Sequence, residues 1–147
     1  MKKMILMLAV ALSSVFAFAG EENAEIKSEV LDAFKSEFAT AKEVKWTANE
    51  TYYKADFIFN NQYIAAYYTP TGEMMGVTRN ISSLDLPVSL QAKLKKEYSK
   101  YWISELFELS NNDGTTYYVT LENADKKIVL KSTGNNNWNV FKKVVKA

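Results

Sequence analysis

The chain has 147 residues, with 18 basic and 17 acidic side chains, so no charge excess points to nucleic acid or to a membrane surface. It contains neither cysteine nor histidine. That excludes disulfide staples, thiol chemistry, zinc–thiolate sites, haem–histidine ligation and Ser-His triads, and leaves the core to supply stability.

The first element in chain order is a leader. Lys2 and Lys3 precede an apolar run from Met4 to Leu12 that resumes at Val15, and Ala17-Phe18-Ala19 has the small-x-small form of a cleavage site. This order predicts a Sec signal peptide over residues 1–19, cut before Gly20. The run is shorter than the ~20 residues of a spanning helix. Residues 20–147 then form the mature chain, with no membrane span, in the periplasm or outside the cell. Without a Cys at the cut, no lipid anchor follows.

Glu21 to Ala24 reads as a polar lead-in. Ile26, Val30, Ala33, Phe34 and Phe38 fall at helical spacing among charged residues, which predicts an amphipathic helix over about 25–39. The period then drops to two. Val44 and Trp46 mark one strand, and Tyr53, Ala55, Phe57 and Phe59 a second. Asn60-Asn61 is a two-residue turn that tolerates positive φ. Gln62 to Thr69 returns as the partner strand, Pro70-Thr71-Gly72 turns, and Glu73 to Asn80 is a fourth strand.

The pattern then restarts. Pro87 suits the first turn of a helix over about 87–100 that presents Val88, Leu90, Leu94, Tyr98 and Tyr101. Strands follow at Ile103–Leu109, Thr116–Glu122, Lys127–Ser132 and Trp138–Val145, separated by turns at 111–114, 123–125 and 134–137. The expected fold is α+β: tandem α-β4 repeats, about 24–82 and 83–147, forming one antiparallel sheet with two helices packed on one face. Dense aromatic content predicts a filled layer between helices and sheet. The direction of Trp138 stays open.

The run Val30-x-x-Ala33-Phe34-x-x-x-Phe38, with Ala41-x-x-Val44-x-Trp46 and Tyr53-x-Ala55-x-Phe57, resembles the bacterial PepSY-like proteins with a β-lactamase-inhibitor-protein-like (BLIP-like) fold. Leu86-Pro87, Tyr98 and Asp113-Gly114-x-x-Tyr117-Tyr118-Val119 extend the resemblance over nearly all of residues 20–147. It implies a small exported protein that binds or inhibits another exported protein. The inhibitor that names the fold is stabilised by disulfides, and this chain has no cysteine. No β-lactamase target and no functional residue is therefore carried over.

Strand parity separates two sheet faces. Tyr53, Ala55, Phe57 and Phe59 point to the helix, paired with Tyr68, Ala66, Ile64 and Gln62. The other face carries Tyr52, Lys54, Asp56 and Ile58 beside Tyr63, Ala65 and Tyr67, and in the second unit Tyr118, Thr120, Lys127, Val129 and Lys131. Tyrosine gives large contact area at low entropy cost. Tyr52, Tyr63, Tyr67 and Tyr118 are thus the candidate anchors for an exported protein or peptide, with Lys54 and Asp56 adding polar specificity. Ordinary packing of high-β-propensity tyrosines is the competing reading. A small apolar ligand or peptide bound between sheet and helices is the alternative function.

No cofactor, metal site or catalytic constellation is implied. Glu105 and Glu108 fall on opposite faces of one strand, Asp56 and Glu73 on strands that could neighbour each other, and no pocket is implied around either pair. Asn111, Asn112 and Asp113 lack the spacing of a calcium loop. The lysines from 126 to 146, with no acid after Asp125, suit a solvated edge better than a polyanion site. These features predict a non-enzymatic binding or inhibitory module.

Overall fold

A computed structural model describes residues 21–22, 25–134 and 136–147. The signal-peptide reading of residues 1–19 lies outside them. The elements are β1 (Glu21–Glu22), α1 (Ser28–Glu37), β2 (Lys42–Ala48), β3 (Tyr53–Phe59), β4 (Gln62–Tyr68), β5 (Met74–Asn80), a 3-10 turn (Ser83–Asp85), α2 (Val88–Glu97), β6 (Trp102–Asn111), β7 (Gly114–Glu122), β8 (Lys126–Ser132) and β9 (Asn139–Val145). The architecture is α+β with antiparallel pairing. The chain divides into two units between Met75 and Gly76.

In the first unit β1, β2, β3 and β4 pair in that order. β1 is a correction: the lead-in read as irregular places Glu21 opposite Ala48 and Glu22 opposite Thr47. Two residues are too short a segment for period-two patterning to reveal. Asn60 and Asn61 hold φ of 50° and 62°, and this turn sets the register Phe59–Gln62, Phe57–Ile64, Ala55–Ala66 and Tyr53–Tyr68, as the sequence predicts. α1 buries Val30 and Phe34 one turn apart. The Phe34 ring lies 5.2 Å from Trp46 and 5.0 Å from Phe57, and Phe38 lies 4.8 Å from Phe57 and 5.3 Å from Phe59. These tilted and edge-on contacts fill the space between helix and sheet with five aromatic rings.

In the second unit β6 pairs with β5 and β7, and β8 lies between β7 and β9. Pro87 sits at the N-cap of α2, one residue before the helical stretch begins. The helix buries Leu90 and Leu94 against Leu106, Val119, Leu121, Ile128 and Leu130. Trp138 packs on this cluster and its Nε1–H donates to the Leu90 carbonyl at 3.1 Å, so it faces the helix. The Lys93 ammonium donates to the Asn136 carbonyl at 2.7 Å and to Asn137 Oδ1. The connection from β8 to β9 is thereby tied to α2.

Candidate functional site

The predicted sheet-face residues separate by exposure. Tyr63 is 74% exposed, opposite half-buried Ile58. Lys54 and Asp56 share that face and approach to 3.4 Å. Tyr52 is half-buried and meets Tyr67 edge-on at 5.5 Å. Tyr67 and Tyr118, offered by the sequence as contact anchors, are 1% and 2% exposed and correct that expectation. The Lys54 ammonium lies 5.8 Å from the Tyr67 ring centre. Phe107 stacks on Tyr118 at 5.0 Å, and Phe141 meets Tyr118 edge-on at 5.5 Å. Thr120 and Val129 are buried beside them, so in the second unit this face is not open. Strand parity gives the face, but the neighbours that cover a ring come from other strands. Burial pushes the Tyr118 phenol up to about 12.

A concave site lies beside α2 in the second unit. The expected filled layer holds in both units: Phe34 and its ring neighbours fill the first, and the Leu86–Leu130 cluster is buried in the second, with a half-open cavity of about 380 Å³ at its margin between α2, the 3-10 segment and the ends of β6 and β7. Buried Leu94 and Leu121 form its base, with Tyr98, Tyr101 and Ile103 beside them. Ser83, Leu84, Gln91, Lys95 and Ser99 complete the lining, and Leu84 is 81% exposed. The Gln91 amide nitrogen donates to the carbonyls of Leu86 at 2.7 Å and Leu84 at 3.3 Å, which holds the 3-10 segment as one wall. Asp85 caps that segment by accepting from Ser82 N–H at 2.9 Å. Opposite it, the β6 ladder is irregular between Ile103 and Glu105, and Ile103 is partly exposed.

Where α1 offers Phe34 and Phe38 to Trp46, Phe57 and Phe59, α2 offers Leu94 and Tyr98 to Leu106, Val119 and Leu121. Aliphatic side chains fill less volume than aromatic rings do. The sequence contained this signal in the thinning of aromatics on the inward face. Cavity residues such as Gln91, Lys95 and Ile103 carry no motif.

An adjoining depression of about 420 Å³ includes Ser82, Ser83, Ile103, Ser104 and Glu105. Burial raises the Glu105 carboxyl above its ordinary range, and Lys127 opposes that shift in part. Glu108 lies on the opposite strand face, as predicted, and accepts from Arg79 Nε at 2.9 Å and Nη2 at 3.4 Å. Asp56 lies on β3, whose partners are β2 and β4, and Glu73 precedes β5, so these two acids are not on neighbouring strands. Asn111 Oδ1 accepts from Asp113 N–H at 2.9 Å, which closes an Asx turn. Among the described residues no helix is long and apolar enough to cross a membrane, and no group of three or more acidic side chains could hold a metal.

No family model matches the chain, and no curated protein matches it. Solved structures do. A BLIP-like protein from Bacteroides fragilis NCTC 9343 is 20% identical, with a TM-score of 0.72 over 84% of this chain and 89% of its own. A Bacteroides eggerthii DSM 20697 protein named as one of the "putative periplasmic proteins" is 17% identical, with a TM-score of 0.73 over 82% and 89%. A DUF2874 family protein from Bacteroides uniformis ATCC 8492 is 17% identical, with a TM-score of 0.72 over 82% and 90%. At these identities the likeness speaks for architecture and not for a site: the chain has the BLIP-like α+β fold.

Proposed function

We propose that this protein is an exported binding module without covalent chemistry, and that it holds a small amphipathic ligand between α2 and the sheet of its second unit. The observation that carries this reading is the cavity of about 380 Å³, which has an apolar base and a polar rim. Its size falls in the range of small-molecule sites, and a few polar groups around an apolar interior are the usual means of orienting a ligand. Leu94, Leu121 and Ile103 take the apolar body. Lys95, exposed at the rim, favours an anionic end.

Export is supported by the three-part leader and by the periplasmic name of one structural neighbour. Descent from a tandem repeat with PepSY-like affinity belongs to the same proposal. α1 and α2 each have ten residues and begin 60 positions apart, at Ser28 and Val88. On that reading the second copy lost aromatic volume and gained a binding space.

The test is a titration of the purified protein with the probe 1-anilinonaphthalene-8-sulfonate, an apolar ring system carrying one anion. Saturable one-site binding is expected, weakened about tenfold or more by Ile103→Trp, which places a ring at the cavity wall. Equal binding by a folded Ile103→Trp variant would remove the cavity from consideration.

A second reading, contact with a protein partner through the sheet face of the first unit, is favoured by Tyr63, which is 74% exposed beside Ile58 and Asp56, and by the fold shared with a BLIP-like protein. Tyr63→Ala would abolish such capture without altering stability, whereas Tyr67→Ala would destabilise the fold.

A further inference from the structure

β9 ends the strand order and pairs, among the described residues, with β8 alone. Its outer edge therefore presents backbone N–H and C=O groups without a neighbouring strand. Proteins commonly blunt such an edge with lysine and a bulge. β9 has both: Lys142 and Lys143 are exposed, and the ladder shifts register around Phe141. It also keeps three exposed valines, Val140 at 60%, Val144 at 43% and Val145 at 71%. Protection from aggregation does not call for those apolar side chains, whereas a docking strand does.

The edge is held in place. Phe141 turns onto Tyr118, with Lys131 5.8 Å from its ring centre. Beyond the strand, Lys146 N–H donates to the Asp125 carbonyl at 2.8 Å, and its ammonium reaches the Asn123 carbonyl at 2.8 Å and Glu122 at 3.1 Å. Pre-ordering of this kind lowers the entropy lost when a partner binds.

Charge selects the occupant. No acid follows Asp125 in the chain, and neither Lys142 nor Lys143 makes an ion pair among the described residues. A second copy of β9 would set lysine against lysine, which disfavours self-pairing. We propose that β9 is a docking edge for an extended acidic segment of a partner protein, which joins the second unit's sheet as an added strand. Backbone hydrogen bonds then supply affinity and alternate side chains supply specificity. The segment that fits carries two adjacent acids opposite Lys142 and Lys143, flanked by apolar residues opposite Val140 and Val144. This site is independent of the cavity beneath α2.

The experiment measures fluorescence anisotropy of a labelled peptide, Thr-Val-Glu-Glu-Thr-Val-Thr, with the purified protein. Three comparisons accompany it: the same peptide with Lys for Glu, the Glu peptide N-methylated at alternate backbone nitrogens, and the Lys142→Glu/Lys143→Glu variant. Saturable binding of the Glu peptide is expected, with a loss of about tenfold or more on N-methylation. The variant, checked for native circular dichroism, is expected to prefer the Lys peptide. Binding that tolerates N-methylation would reduce the contact to charge alone and overturn the proposal. So would equal affinity for the Glu and Lys peptides, or no saturable binding.

Discussion

Replacing Leu94 by phenylalanine probes the space beneath α2 by filling it. Leu94 is 7% exposed and lines the cavity. In the first unit Phe34, on α1, meets Trp46 at 5.2 Å and Phe57 at 5.0 Å. Phenylalanine carries three more side-chain carbons than leucine. At about 0.8 kcal/mol per buried methylene, the upper bound is about 2.4 kcal/mol. Rotamer loss and imperfect fit bring cavity-filling changes to about 0.5–2 kcal/mol in practice. A gain of about 1 kcal/mol raises the urea midpoint by roughly 0.5–1 M at an m-value of about 1–2 kcal/mol/M. Tryptophan fluorescence reads the transition, because Trp138 packs on the same cluster. The same variant is expected to bind the anilinonaphthalene probe about tenfold more weakly or worse. Destabilisation by about 1–3 kcal/mol would mean that the ring has nowhere to go and would refute the reasoning about available volume. A gain in stability with unchanged probe binding would leave the cavity real and refute its role as the ligand site.

Three further outcomes follow from the same geometry. Glu105 has a raised carboxyl pKa, so the folded state holds its proton to higher pH than the unfolded state. Stability therefore falls as pH rises from the ordinary carboxylate range through the raised value. Glu105→Gln is expected to raise the melting temperature at neutral pH and to lose that advantage in acid; an equal effect at all pH values would remove the titration argument. Tyr68 and Tyr118 are each pushed up to about 12, by burial first and, for Tyr68, by Glu37 as well. Each is expected to withdraw roughly 2–3 kcal/mol of stability as pH rises from about 10 through 12, visible as a late tyrosinate absorbance step that coincides with loss of circular dichroism. Gly72 has φ of +91°, and an added Cβ would lie 2.8 Å from the Glu29 carbonyl oxygen. Gly72→Ala is expected to cost about 2 kcal/mol or more in urea denaturation, and a neutral result would show that the turn and α1 part easily.

Periodicity was sufficient for both α-helices and for strands β2 to β9. Val30, Phe34 and Phe38 are one helix face wherever the helix lies, and Phe57 with Phe59 must share a strand face. Asn60-Asn61 determined a hairpin and its register through a backbone preference local to two residues. The absence of histidine and cysteine bounded the chemistry before any coordinate. The short strand β1 escaped because two glutamates have no period.

What the sequence by itself determined was local: helix faces, strand parity, turn positions and the excluded chemistries. Only the tertiary structure decided which faces remain accessible. Tyr63 and Tyr67 have the same parity on one strand, yet Tyr63 stands in solvent while Tyr67 lies beneath neighbouring side chains. The cavity beneath α2 likewise depends on how several modest side chains from a helix, a turn and two strands fail to fill a common volume. Burial and voids are sums over residues distant in the chain, and a local pattern cannot contain such a sum.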